Sequence, residues 1–596
     1  MIDRMYGRSR YVRRPVRGFP VMALLLGSLF LPPAQPVQAV RAAPLPLERH
    51  YDNTGVAHEG RPDSAGLDGR GAALSARDLA AAGWPPGRAL TVQGARLTWP
   101  RRPPGAPDNV RAAGQEVLIT GRGDALAFLV TSTGGGPAGG SGTVTYADGS
   151  RSSYLLNAPD WRRGGLATKA VALPHVSTPA GRLAERARLY VVTVPLAPGR
   201  AVASVRLPYA PDLHVFSLAV RAAAPGWTGS WAASTSGQPP VGPWTDRTLR
   251  LVVHASAGGP RVRVRFDNTF ASTPVRLGGA TVALRAAGAR ALGAPVPLTF
   301  AGAAGAELPA GAQAVSDPLA FTVPAGADLL VSFHLPGTVT AVPSHGLAVQ
   351  RAYLSGPGDH TADADGAAYG TTLTSRPLLA GIDVGGGPGS VVLLGDSLTD
   401  GDRSTADTDS SWPDVLAARL RRQDEVPRYG VLNHGIAGNR VVTDRYPGDG
   451  VSTVTTGVSA LNRLDRDVFA QTSVRTLVVF EGINDLLAGT TPERLTAGLR
   501  EIAERARLRG IRVLGTTLAP CGGLARCTPA VEAGRTAVNA WIRESGPFDA
   551  VLDADLALRD PAAPGRLLPA YDSGDHLHPG DAGYAALADS VDLRLL

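Results

Sequence analysis

The pattern of apolar and polar positions changes texture twice along the chain. From about residue 47 to 221, apolar residues alternate with polar ones in short runs broken by Gly, Pro and Asp: 116–120, 126–131, 143–146, 189–194 and 202–207. Strands of this kind without intervening helices predict an antiparallel sandwich, and the glycine-rich 134–142 run predicts a flexible loop. A second β zone runs from about 227 to 383, with strands expected at 248–254, 262–266, 281–285, 298–300 and 329–335. Its hexapeptide Arg261-Val262-Arg263-Val264-Arg265-Phe266 alternates with period two, so one face is polar and one is buried.

After the glycine-rich 385–389 linker, strands and helices alternate. Strands are predicted at 391–394, 429–432, 474–480, 511–517 and 550–553. Helices are predicted over 412–422, from Thr491-Pro492-Glu493 onward, and over 530–545. Ser411 and Thr491 stand where N-caps belong, with Pro413 and Pro492 in the first turns. Repeated β-α-β units predict a parallel sheet covered on both faces, with ligands at the carboxyl ends of its strands. The expected organisation is multidomain: 1–39 an export signal, 45–225 and 226–386 two all-β sandwiches, and 388–596 an α/β/α domain.

Composition narrows the function classes. The net charge of +8 on 596 residues is concentrated at the start, where Arg4, Arg8, Arg10, Arg13, Arg14 and Arg17 precede an apolar stretch over 21–31. That stretch is too short to span a bilayer, and Val37-Gln38-Ala39 resembles a small-residue cleavage site. Loss of these six arginines, together with Asp3, would lower the net charge to +3. No basic cluster elsewhere suggests nucleic-acid binding. A secreted mature chain without a membrane span is expected. Arg13-Arg14 hints at twin-arginine export but Pro15 fits it poorly, so the route stays open. The two cysteines, Cys521 and Cys527, predict a local disulfide in an exported protein and are too few for a structural zinc site.

The chemistry-bearing residues fall in four blocks after the predicted strands. Leu394-Gly395-Asp396-Ser397-Leu398-Thr399-Asp400-Gly401 places a serine at a sharp strand-to-helix turn. Asn433-His434-Gly435-Ile436-Ala437-Gly438-Asn439-Arg440 offers a backbone N–H at Gly438 for an oxyanion, and Glu481-Gly482-Ile483-Asn484-Asp485 offers the Asn484 amide. Asp575-His576-Leu577-His578-Pro579 supplies a base and a carboxylate from one loop, which serine-based acyl transfer needs. Each block alone is an ordinary turn. Four in this order resemble the GDSL lipase/acylhydrolase, or SGNH hydrolase, family over roughly 388–596.

That resemblance implies a flavodoxin-like α/β/α fold and an acyl-serine intermediate, with no metal or other cofactor. It implies Ser397 as nucleophile, His578 as base oriented by Asp575, and Ser397, Gly438 and Asn484 as the oxyanion hole. His576 is expected to line the cleft or face solvent. The 227–383 zone resembles the β-rich region before such domains in larger secreted bacterial esterases, through Trp231, Thr248-Leu249-Arg250 and Ser316-Asp317-Pro318. The first zone resembles accessory sandwiches of secreted carbohydrate-active enzymes, through Tyr51-Asp52-Asn53, Asp108-Asn109-Val110 and Asp160-Trp161. Trp84, Trp99 and Trp161 would either stack on sugar rings or pack a core. The expected substrate is a carboxylic ester, of an acylated glycan or a lipid. The competing reading is a catalytically inactive carbohydrate- or surface-binding protein on the same scaffold.

Overall fold

The 17-residue strand Glu116–Ser132 organises the first zone. Two strands were expected here, but one is found. Its first half pairs with Ala201–Arg206, and its second half with Ala187–Pro195 and Tyr209–Ala222. The change of partners is made at Gly123, where a Cβ would stand 2.0 Å from the carbonyl oxygen of Arg221. Gly123 therefore forms a corner within the strand rather than a turn. The expected flexible run behaves similarly: its second half belongs to strand Ala138–Tyr146, paired with Arg151–Ala158. A Cβ at Gly142 would lie 2.2 Å from Cζ of Tyr154, so glycine gives the ring its space.

The computed structural model describes residues 43–237, 241–446 and 456–596; the export segment expected at 1–39 lies outside them. Residues 44–596 form one compact unit. Trp84, Trp99 and Trp161 are buried in a shared core, and Trp84 Nε1 donates to the Ala310 carbonyl of the second zone at 2.9 Å. These tryptophans are core residues. The hairpin of Ala89–Val92 and Ala95–Thr98 also joins a sheet of the second zone, with Gln313 opposite Thr91. That zone stacks two sheets over Leu249, Leu251, Val262, Val264, Phe266 and Phe333. Most of its predicted strands are present and longer than expected. The 298–300 strand is not, since Phe300 makes only an isolated bridge to Ala303.

The last zone holds five parallel strands: β1 (Ser390–Gly395), β2 (Gly430–Gly435), β3 (Val474–Phe480), β4 (Arg512–Thr516) and β5 (Ala550–Leu552). Their order is β2-β1-β3-β4-β5. Residues of β1 alternate between two cores. Val392 and Leu394 meet the helix Pro492–Arg507, while Val391 and Leu393 meet Trp412 and Tyr584. Burial on both faces explains the unbroken apolar run. Pro492–Arg507 begins as expected, with Thr491 Oγ accepting from Arg494 N and Pro492 in the first turn.

The second zone covers the sheet edge at β2. Val431 N donates to Ser256 Oγ at 2.9 Å, and a Cβ on Gly430 would meet the Gly229 carbonyl at 1.9 Å. Among the described residues, no helix is long and apolar enough to cross a membrane.

Candidate active site

Because the chain runs from β1 outward to β2 and then back to β3, the crevice at the carboxyl ends of β1 and β3 is the natural ligand site. Register places the first three blocks there. Gly395 stands opposite Gly435 on one side and Phe480 on the other, so the turns after all three strands open side by side. Gly395 must lack a side chain, since a Cβ would stand 2.1 Å from Thr399 Oγ1 and 2.6 Å from the Phe480 carbonyl. Asp396 then caps the short helix Ser397–Asp400, accepting from Leu398 N at 3.1 Å. This leaves Ser397 as the first helical residue at the end of the sheet, with little exposure.

The fourth block approaches from the C-terminal end of the chain. Asp575 Oδ1 accepts the backbone N–H groups of Leu577 and His578 at 3.0 and 2.8 Å, closing a tight turn. Its Oδ2 accepts from His578 Nδ1 at 2.8 Å. The opposite ring nitrogen, Nε2, is 2.8 Å from Ser397 Oγ. Partial burial opposes ionisation of Asp575, but the hydrogen bonds from His578 and Leu577 outweigh it and hold the carboxyl down at about 2. His576 diverges: its φ is +64°, its side chain is half exposed, and Nδ1 is 2.6 Å from Asp572 Oδ2.

The other candidate residues lie in the turns after β2 and β3. Gly438 has φ +75°, and a Cβ there would stand 2.4 Å from Thr456 Cγ2, so both backbone and space require glycine. Asn484 lies on the one-turn helix Ile483–Leu486 after β3 and directs Nδ2 to Asp396 Oδ2 at 3.3 Å, which uses one of its two amide hydrogens. Burial pushes the Asp396 carboxyl up to about 7. The cysteines form the expected disulfide, with Cα atoms 5.8 Å apart. Cys521 packs against Ile483 and Leu577, tying its loop to both the third and fourth blocks.

Residues 393–586 match the GDSL-like lipase/acylhydrolase family. That segment is a GDSL-like lipase/acylhydrolase domain. Solved structures similar to this domain include a protein assigned to the G-D-S-L lipolytic family from Desulfitobacterium hafniense DCB-2, at 22% identity and TM-score 0.27, covering 35% of this chain and 99% of that one. A GDSL-like lipase from Bacteroides thetaiotaomicron VPI-5482 aligns at 17% identity and TM-score 0.26, covering 35% and 87%. An acetyl xylan esterase, AlAXEase, aligns at 19% identity and TM-score 0.25, covering 34% and 96%. No curated protein matches the chain.

Sequence reasoning missed Arg463 of the GDSL-like domain. This arginine is fully buried on the helix Ala460–Leu464, just before a π-helical turn at Asp465–Phe469. Its Nη2 donates to the Gly395 carbonyl at 2.9 Å, Nη1 to the His434 carbonyl at 2.7 Å, and Nε to Asn439 Oδ1 at 2.9 Å. One guanidinium thus holds the ends of β1 and β2 and the second block together. Asp467 faces it at 3.1 Å while also holding Arg466 at 2.5 and 2.9 Å. Nearby Glu481 is fully buried, and that burial raises its carboxyl well above the usual range. Nothing in local sequence marks Arg463, because all its strand-end partners come from other elements.

Proposed function

We propose that the GDSL-like domain is a serine ester hydrolase working through an acyl-serine intermediate. The observation that carries this reading is the line from Asp575 Oδ2 through His578 to Ser397 Oγ, with both contacts at 2.8 Å. His578 Nε2 takes the hydroxyl proton as Oγ attacks the ester carbonyl, and the ionised Asp575 supports the imidazolium. The N–H groups of Ser397 and Gly438 and the Asn484 amide stabilise the oxyanion; each such donor is worth about 2.7–4 kcal/mol of barrier. His578 then protonates the leaving alcohol and activates water for deacylation.

The family match and the assembled side chains favour this over an inactive scaffold. In the same reading the chain is exported through residues 1–39 and acts outside the cell on an acylated glycan or lipid. A Cys521–Cys527 disulfide suits an oxidising compartment. The test is hydrolysis of a panel of acetylated glycans, short acyl esters and phospholipids, combined with labelling by an organophosphonate. Labelling confined to Ser397, with turnover lost in Ser397→Ala, is expected. Labelling at another serine, or unchanged turnover in that variant, would refute the assignment.

A further inference from the structure

We infer that His345, supplied by the second β zone, is a positioning residue for the oxyanion turn of the GDSL-like domain; this rests on the hydrolase reading above. His345 lies on the two-residue strand Ser344–His345, outside the segment that matches the family. Its side chain is almost completely buried. Nδ1 is 2.7 Å from the Ser234 carbonyl, and Nε2 is 2.8 Å from Asp400 Oδ1. Asp400 closes the short helix that starts at Ser397. Its other oxygen, Oδ2, accepts from Ala437 N at 3.0 Å. Ala437 immediately precedes Gly438.

The chemistry of the bridge is constrained. The Ser234 carbonyl can only accept, so His345 Nδ1 carries a hydrogen. A proton also lies between Nε2 and Asp400, on the ring or on the carboxyl. In either state, His345 fixes the rotation of the Asp400 carboxyl, and that carboxyl joins the nucleophile helix to the peptide before Gly438. Ser234 adds a second tie, since its Oγ is 2.7 Å from Nδ1 of His434 in the same block. Burial lowers His434 to about 3, so its ring is neutral at physiological pH. The β zone thereby sets the distance between the attacking hydroxyl and an oxyanion donor. Its own residues do not touch the reacting atoms.

The test uses the full chain. His345 borders a polar cavity of about 50 Å³, also lined by Arg376, Asp400 and Asp414. That is room for water to replace an imidazole, so His345→Ala is expected to fold. Misplacing an oxyanion donor costs about 10²-fold when it shifts by 1 Å, so kcat should fall by about 10- to 100-fold while KM changes less than about threefold. Asp400→Asn can keep both contacts, its amide donating to a neutral His345 and its carbonyl accepting from Ala437 N, so it should lose much less kcat than His345→Ala.

If His345→Ala does not fold, His345→Gln takes its place. Its amide reaches Asp400 but cannot also bridge to Ser234, and an intermediate loss of kcat is expected. A folded alanine or glutamine variant with wild-type kcat overturns the inference, as does Asp400→Asn falling as far as His345→Ala. A wild-type protein that neither hydrolyses esters nor reacts with the phosphonate at Ser397 instead overturns the hydrolase reading, and the inference falls with it.

Discussion

Replacing Asp575 by asparagine tests the catalytic line at its most revealing point. The asparagine carbonyl can still accept the N–H groups of Leu577 and His578, which now bond to Oδ1 at 3.0 and 2.8 Å, so the turn should survive. The new amide nitrogen then faces His578 Nδ1, which lies 2.8 Å from Oδ2. Two donors cannot share that line, so the ring must place its hydrogen on Nε2, pointing at Ser397. In that tautomer it cannot take the serine proton. By comparison with the same change in other triads, kcat should fall by about 10³- to 10⁴-fold, or about 4–5.5 kcal/mol of barrier.

Stability should change far less. The Asp575 carboxyl is held at about 2 in the fold against 3.8 for an ordinary one. A depressed pKa means that its contribution is full above pH 4 and vanishes as pH falls through 2. Side-chain exposure of 28% leaves part of that contribution screened, so about 1 kcal/mol at pH 7 is expected. Turnover of a chromogenic short-chain ester and urea melts at pH 7 and pH 3 measure both effects. A variant that keeps more than about a tenth of wild-type kcat would show that Asp575 does not set the tautomer.

Three further outcomes follow from the geometry. His578→Ala should lose several orders of magnitude in turnover, whereas His576→Ala, whose ring bonds Asp572 instead, should lose less than about tenfold; the reverse ranking in steady-state assays would show the base misassigned. Arg463→Met removes the buried donors to the Gly395 and His434 carbonyls and to Asn439 Oδ1, while Asp467 keeps Arg466, so urea melts should show a loss of about 3–5 kcal/mol from the hydrogen bonds alone; a melt unchanged from wild type would refute the clamp. Opening the six-residue separation between Cys521 and Cys527 by a double serine substitution should cost about 2 kcal/mol of stability. It should also raise hydrogen exchange across residues 575–578, since Cys521 packs on Leu577; unchanged exchange there would show that the loops are independent.

What the chain reveals on its own is what short-range physics controls. The apolar run of β1 and the Thr491-Pro492 helix start depend on neighbours within a few residues, as does the three-residue spacing from Asp575 to His578. Each appears where periodicity, capping and turn chemistry place it. The first three blocks were legible because each follows a strand of one parallel sheet, whose strands present their carboxyl ends together, and the fourth because one loop carries both Asp575 and His578. Gly123 and Gly142 read as loop residues, yet they sit within strands, because their purpose is set by Arg221 and Tyr154 in other strands. Arg463 and His345 carried no local signal at all. A buried arginine becomes a clamp only when three carbonyl-type oxygens from separate elements converge on it. Likewise, a histidine 55 residues before Asp400 reaches the short helix Ser397–Asp400 only because the second β zone packs against the sheet. Such sites are products of long-range convergence, which tertiary packing alone decides.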